Sequence, residues 1–193
     1  MAKHGELKRA TIEQLENELR RVKRRKQIQS SVRGVLYTLV LAAALAVLVA
    51  TLWLPVIRIH GNSMTPTLNE GNIVLAVKDR TFQAGDLCGF YYGDRLLVKR
   101  IIAGPNDWMN MDGLGNVYVN GEPLDEPYLA EKAYGDVSIA FPYQVPEGRY
   151  FVMGDHRSTS ADSRSGAIGC VAEEQLVGKI VLRVWPLNAL GGL

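Results

Sequence analysis

Only two of the 193 residues are cysteine and only three are histidine. Cys88 and Cys170 stand 82 positions apart and give no disulfide framework, so two separately buried thiols are expected. His4, His60 and His156 are scattered, and no His/Cys/Asp/Glu spacing suggests a metal. No cofactor signature accompanies them. Basic charge is scarce over most of the chain: residues 34–193 hold twelve Lys/Arg against sixteen Asp/Glu, a net of −4. That balance leaves the main domain without a nucleic-acid footprint. No internal repeat and no low-complexity segment is found.

The basic charge lies in residues 1–33, where ten Lys/Arg face four Glu, a net of +6. Between Arg33 and Arg58 there is no charged residue at all. Gly34 to Leu54 is 21 residues, about 31 Å as a helix, and a hydrocarbon core is about 30 Å thick. Arg20, Arg21, Lys23, Arg24, Arg25, Lys26 and Arg33 precede it, so the positive-inside rule keeps that end in the cytoplasm and sends the rest outward. Tyr37 and Trp53 stand near the two ends, where an interfacial belt is expected. A cleaved signal peptide is the competing reading, because Ala42-Ala43-Ala44 and Ala46 to Ala50 offer small-residue sites. Signal peptides have apolar cores of about 7–15 residues and short basic leaders, so the length here favours an uncleaved anchor.

Three divisions are therefore expected: a basic cytoplasmic tail over 1–33, a transmembrane helix over 34–55 and an extracytoplasmic β-rich domain over 56–193. Within the tail, Ile12, Leu15, Leu19 and Val22 recur at helical spacing, with Thr11 and Gln14 suited to a capping box. Two heptads are too few for a coiled coil. Beyond Val56, Gly, Pro and Asp punctuate short β-rich runs: 56–59, 73–77, 87–92, 96–102, 117–119, 150–153 and 179–185. They read as an antiparallel β domain. Asn120-Gly121 is a strong hairpin turn and Asp112-Gly113 a weaker one. Residues 103–148 read as a less regular insertion or subdomain with a looser core.

Three segments carry chemistry. Ser63 lies in Gly61-Asn62-Ser63-Met64-Thr65-Pro66, a turn after an apolar run. Gly61 permits a tight approach and Pro66 fixes the chain, which leaves the Ser63 backbone N–H as an oxyanion donor. Lys99 lies in Leu97-Val98-Lys99-Arg100-Ile101, a strand pattern that puts Leu97, Lys99 and Ile101 on one face. Apolar neighbours desolvate the amine and disfavour its charge, while Arg100 points the other way toward solvent. A serine hydroxyl needs a base, no His-Asp pair stands near, and a neutral lysine is a known alternative. The third segment, residues 154–166, is a dense polar loop in which Ser160 is suited to bond the amine. Asp155, Arg157, Asp162 and Arg164 there suit ion pairs that fix the loop. Taken singly, each segment also reads as a plain turn serine, an edge-strand lysine or a solvated loop.

Taken together, in this order and behind an apolar segment, they resemble the motif boxes of the type I signal peptidases. These are membrane-bound Ser/Lys peptidases that remove signal peptides from exported proteins. The resemblance spans roughly residues 34–186 and implies the antiparallel β catalytic fold of that family behind a transmembrane helix. It implies Ser63 as nucleophile, Lys99 as general base, Ser160 as the residue orienting the lysine, and Asp162 with Arg164 as supporting pair. It also implies that an extended signal peptide is gripped between the strand before Ser63 (Ile59, His60, Gly61) and the one carrying Lys99 (Leu97, Val98). Small pockets would select Ala-x-Ala ends. Implied partners are signal peptides and the lipid bilayer, with the secretion translocon as a further neighbour, at the cytoplasmic membrane. Three positions depart from the pattern. His156 stands where the family usually has Asn, which would add pH dependence. Ala103-Gly104-Pro105-Asn106 replaces the usual Gly-x-Pro-Gly. Gly61 stands where Gram-negative members carry an oxyanion serine, so the chain looks like the smaller Gram-positive form.

Three rivals remain at the level of sequence, one of them a plain anchored β-domain binding protein. A self-cleaving Ser/Lys peptidase of the SOS-repressor type would carry a DNA-binding domain in place of the apolar run. A non-catalytic, signal-peptidase-like pilus assembly factor keeps the scaffold but loses the Ser/Lys pair.

Overall fold

The computed structural model describes residues 12–78 and 81–193, and the chain divides into two units at Ala50/Thr51. Thr11, the expected helix cap, lies outside the described residues, as do the side chains of Gln14 and Trp53.

One helix, α1 (Ile12–Trp53), runs from the basic segment through the apolar one without a break. Residues 16–49 are exposed along its length. Val35, Leu36, Leu39, Val40, Leu41 and Leu45 each stand more than half exposed, although an apolar stretch of mean hydropathy 2.2 has every reason to be covered. By length and composition this helix is long and apolar enough to cross a membrane.

The second unit is antiparallel β. Its strands are β1 (Val56–Arg58), β2 (Ile73–Val77), β3 (Leu87–Tyr92), β4 (Arg95–Ala103), β5 (Trp108–Met111), β6 (Val117–Val119), β7 (Glu122–Pro123), β8 (Tyr143–Gln144), β9 (Arg149–Met153), β10 (Val171–Ala172), β11 (Leu176–Trp185) and β12 (Gly191–Gly192). The larger sheet has the order β1-β2-β11-β3-β4-β9-β10, with β12 added on β11. All seven strands read from the sequence are present, shifted by no more than three residues at their ends. Strands of two residues, and β5, carry too little alternation to be read in advance.

Residues 103–148 form a subdomain, as one of the two expectations had it, but its core departs from expectation. They build a second sheet, β7-β6-β5-β8, and its interior is not loose. Met109, Met111, Val117 and Val145 are buried together with Ile102, Ala103, Phe151 and Met153 from the ends of β4 and β9. The alternation Met109/Met111 presents one apolar face, and the far end of the first sheet supplies its partner. The β6–β7 hairpin turns at Asn120-Gly121, both in the left-handed region at φ 54° and 86°, as this turn type requires.

One consequence of topology positions the site. β1 pairs only with β2, and β9 meets β4 only at Arg100, Ile101 and Ala103. The outer edge of β1 and the first half of β4, residues 95–99, are therefore both unpaired on one side.

Candidate active site

The serine turn is held from below by two buried apolar side chains, Met64 and Leu68, and by the bond from Leu68 N–H to Met64 C=O at 2.8 Å. Thr65 N–H closes it on Asn62 C=O at 3.1 Å. Gly61 has φ 79° and open space where a Cβ would stand, so it serves the turn rather than the close approach expected of it. Ser63 is left half-buried, and its N–H makes no hydrogen bond among the described residues.

Lys99 reaches that hydroxyl. Its Nζ lies 2.7 Å from Ser63 Oγ, and the residue is only 3% exposed. Across the ladder from it stands the buried Cys88, and Leu97 and Ile101 flank it on its own strand face. Burial is the main reason the amine is pushed down to about 8 from its ordinary 10.5. Asp162 and Asp155 pull it back up, and Arg164 opposes them. Desolvation is the largest of these influences and decides the direction.

The polar loop is fixed by ion pairs, but only one lies within it. Asp162 takes Arg164 bidentately, Nε to Oδ1 at 2.9 Å and Nη2 to Oδ2 at 2.8 Å, and both side chains are buried. Asp162 Oδ2 also accepts Gly154 N–H at 3.1 Å, while Arg164 donates to the carbonyls of Tyr134 and Arg157 at 2.7 and 2.9 Å. Arg157 pairs outside the loop with the buried Glu126. Asp155 pairs with Arg100 on β4.

Arg100 corrects an expectation. It does point away from Lys99, yet that side is not solvent: the residue is 7% exposed, with the Tyr128 ring centroid 3.8 Å from its guanidinium carbon. Strand alternation says which side a residue takes and not what covers that side. Glu126 and Tyr128 had no signal in the sequence, because they sit in a Pro-flanked segment without periodicity that reaches the site only through tertiary packing.

Ser160 also departs from expectation. It is buried, but its Oγ has no hydrogen-bond partner among the described residues, and it does not take Lys99. The amine is directed at Ser63 instead. Ser160 packs on Gly154, where a Cβ would collide with Ser160 Oγ and lie 2.5 Å from Ser63 O. Gly154 is thus the close approach that lets loop and serine turn touch, and the bond from His156 N–H to Ser63 C=O at 3.1 Å locks it.

A cleft runs from the pair between the two unpaired strand edges. Next to Ser63 is a narrow pocket of about 50 Å³, where Ile57, Ile59, Met64 and Val98 stand beside the polar Arg58, His60 and Lys99. A wider depression continues from it past Gly61, His60 and Leu97. All five residues expected to grip a peptide line this cleft. Cys88 and Cys170 are separate, buried free thiols.

A buried lysine on a serine hydroxyl, in an antiparallel β unit, is an arrangement suited to a Ser/Lys hydrolase. Comparison with known proteins narrows the class. The family described as "Signal peptidase, peptidase S26" matches residues 32–185. "Signal peptidase I" of Bacillus licheniformis is 33% identical over 169 residues, covering 79% of this chain and 88% of that relative. "Signal peptidase I S" of Bacillus subtilis is 34% identical over 164 residues with the same coverage. A solved signal peptidase I from Enterococcus faecalis matches at 29% identity and a TM-score of 0.45, over 51% of this chain and 96% of that one. The chain belongs to the signal peptidase family, peptidase S26, and is an enzyme of the signal peptidase I type.

Proposed function

We propose that this protein removes signal peptides from exported preproteins, with Ser63 as nucleophile and Lys99 as its general base. The separation of 2.7 Å between a buried amine and a half-buried hydroxyl carries the reading. With Lys99 neutral, the Ser63 hydroxyl donates to the amine lone pair. Oγ attacks the scissile carbonyl as the proton passes to Nζ. The free Ser63 N–H lies ready for the oxyanion. The C–N bond then breaks, and the Lys99 ammonium returns its proton to the leaving amine. Neutral Lys99 next takes a proton from water, the hydroxide attacks the acyl-enzyme, and Ser63 regains its hydrogen.

Ser160 fits this cycle as a positioning residue. Its buried, unpartnered Oγ carries a cost of about 1–3 kcal/mol. A bond from the Lys99 ammonium relieves that cost once acylation has consumed the serine hydroxyl. Asp155, Arg157, Asp162 and Arg164 hold the loop against the serine turn.

The signal peptide enters as an extra strand between the free edges of β1 and β4, its backbone pairing on both sides. The narrow pocket beside Ser63 admits only a small side chain, which suits Ala-x-Ala ends. The segment Gly34–Leu54 anchors the enzyme in the cytoplasmic membrane. Its basic flank keeps the N-terminus in the cytoplasm and places residues beyond 55 on the outer face, where preproteins leave the translocon.

Cleavage of a preprotein by the full-length enzyme in detergent or liposomes tests this. Ser63→Ala and Lys99→Arg are expected to lower kcat by a factor on the order of 10³ or more. Arginine keeps the charge but supplies no neutral base. Normal cleavage by Lys99→Arg sinks the mechanism. No cleavage by the wild type favours the assembly-factor reading, which the presence of both Ser63 and Lys99 argues against.

A further inference from the structure

A second depression lies across the serine turn from the cleft. It measures about 250 Å³ and is lined by Thr65, Pro66, Ala130, Glu131, Asp155 and His156. It shares no residue with the cleft lined by β1 and β4. Yet it is built on the nucleophile's own turn, since Thr65 is two residues from Ser63 and His156 N–H bonds Ser63 C=O. A peptide bond placed over Ser63 has its acyl side in the strand-edged cleft. Its amine side must leave that cleft, and this depression is a concave surface built on the same turn.

The chemistry of the depression is specific. Asp155 contributes no free charge, because both its oxygens are taken by Arg100 at 2.9 and 2.7 Å. Arg157 is buried on Glu126, and Lys132 is turned to Asn116 at 2.9 Å. Glu131 is different. It is exposed, and among the described residues its only hydrogen bond is a long one from the Ser158 hydroxyl at 3.4 Å. The pocket therefore carries one uncompensated negative charge.

His156 Nδ1 stands 3.2 Å from Thr65 Oγ1, whose hydroxyl donates to Asn62 C=O at 2.9 Å. The exposed carboxylate of Glu131 makes the depression a site for hydrogen-donating, cationic groups.

We propose that this depression is the subsite for the first residues of the mature protein, and that Glu131 makes it favour basic over acidic residues there. The inference rests on the reading of Ser63 and Lys99 as the pair that cleaves preproteins. An exposed charge pair is worth a factor of about two to five.

The test uses full-length enzyme in detergent and preproteins that differ only in the two residues after the cleavage site, Lys-Lys, Ser-Ser or Asp-Asp. The readout is the ratio of kcat/KM for the Lys-Lys and Asp-Asp substrates within each enzyme. The wild-type ratio is expected to exceed one by about two- to fivefold, and Glu131→Lys to bring it below one. Glu122→Lys makes the same charge change on β7, away from the pocket, and is expected to keep the wild-type ratio. An unchanged ratio in Glu131→Lys, or an equal reversal in Glu122→Lys, overturns the subsite while leaving the cleavage reading intact. A wild type that cleaves none of the three substrates overturns the parent reading and this one with it.

Discussion

Arg100 grips Asp155 through two parallel bonds, Nε to Oδ1 at 2.9 Å and Nη2 to Oδ2 at 2.7 Å. The pair ties the strand that carries Lys99 to the loop that touches Ser63. It also leaves Lys99 as the buried amine whose charge no carboxylate takes directly, which is why burial sets its protonation.

The pH dependence follows from that. As the proposed base, Lys99 must be neutral to accept the serine proton, and burial brings its conjugate acid down to about 8. In the free enzyme kcat/KM is expected to rise with pH, half-maximal at about 8, falling about tenfold for each unit below. Initial rates on a peptide substrate between pH 6 and 10 check this. A profile flat from 7 to 9 contradicts it.

Stability should move the opposite way from activity when the amine is removed. The folded state holds Lys99 at about 8 against 10.5 in the unfolded chain, so the unfolded state binds the extra proton between those values. Burial of the amine therefore costs up to about 3 kcal/mol below pH 8, a cost relieved as pH rises toward 10.5. Lys99→Met is expected to be inactive yet to melt higher than wild type at pH 7. Its advantage should shrink as the pH of the melt is raised from 8 to 10. A variant that melts lower at pH 7 shows that the bond to Ser63 outweighs the desolvation.

Gly154→Ala tests the contact between loop and nucleophile. The new methyl group meets Ser160 Oγ and the Ser63 carbonyl oxygen, and neither backbone can retreat cheaply. A loss of about 1–3 kcal/mol in stability is expected. Displacing Ser63 from Lys99 should lower kcat by at least about tenfold with a smaller change in KM. Steady-state kinetics beside a thermal melt separate the two effects. A melt lowered with kcat intact contradicts the proposed coupling.

Much of the site was legible because its signals are local. A strand period placed Lys99 among apolar neighbours, and a turn sequence exposed Ser63. The signals failed where a contact crossed between segments. Arg100 was read as solvated because alternation is blind to Asp155 and Tyr128, which arrive from 55 and 28 residues further along. Ser160 lies in the expected loop, yet its hydroxyl faces Gly154, a choice set by backbone packing. In the 103–148 segment, alternation at Met109 and Met111 lasts too few residues to announce a packed face. Its burial depends on β4 and β9.

The sequence by itself determined the apolar helix, seven of the strands, and the serine and lysine proposed as nucleophile and base. These depend on periodicity, charge and turn chemistry, which act over a few neighbours. Only the tertiary structure decided that Nζ meets Oγ, that two strand edges stay open beside them, and that Glu131 and His156 line the other side. Those depend on how distant segments share one desolvated space, and desolvation is a property of the whole packed unit rather than of any stretch of chain.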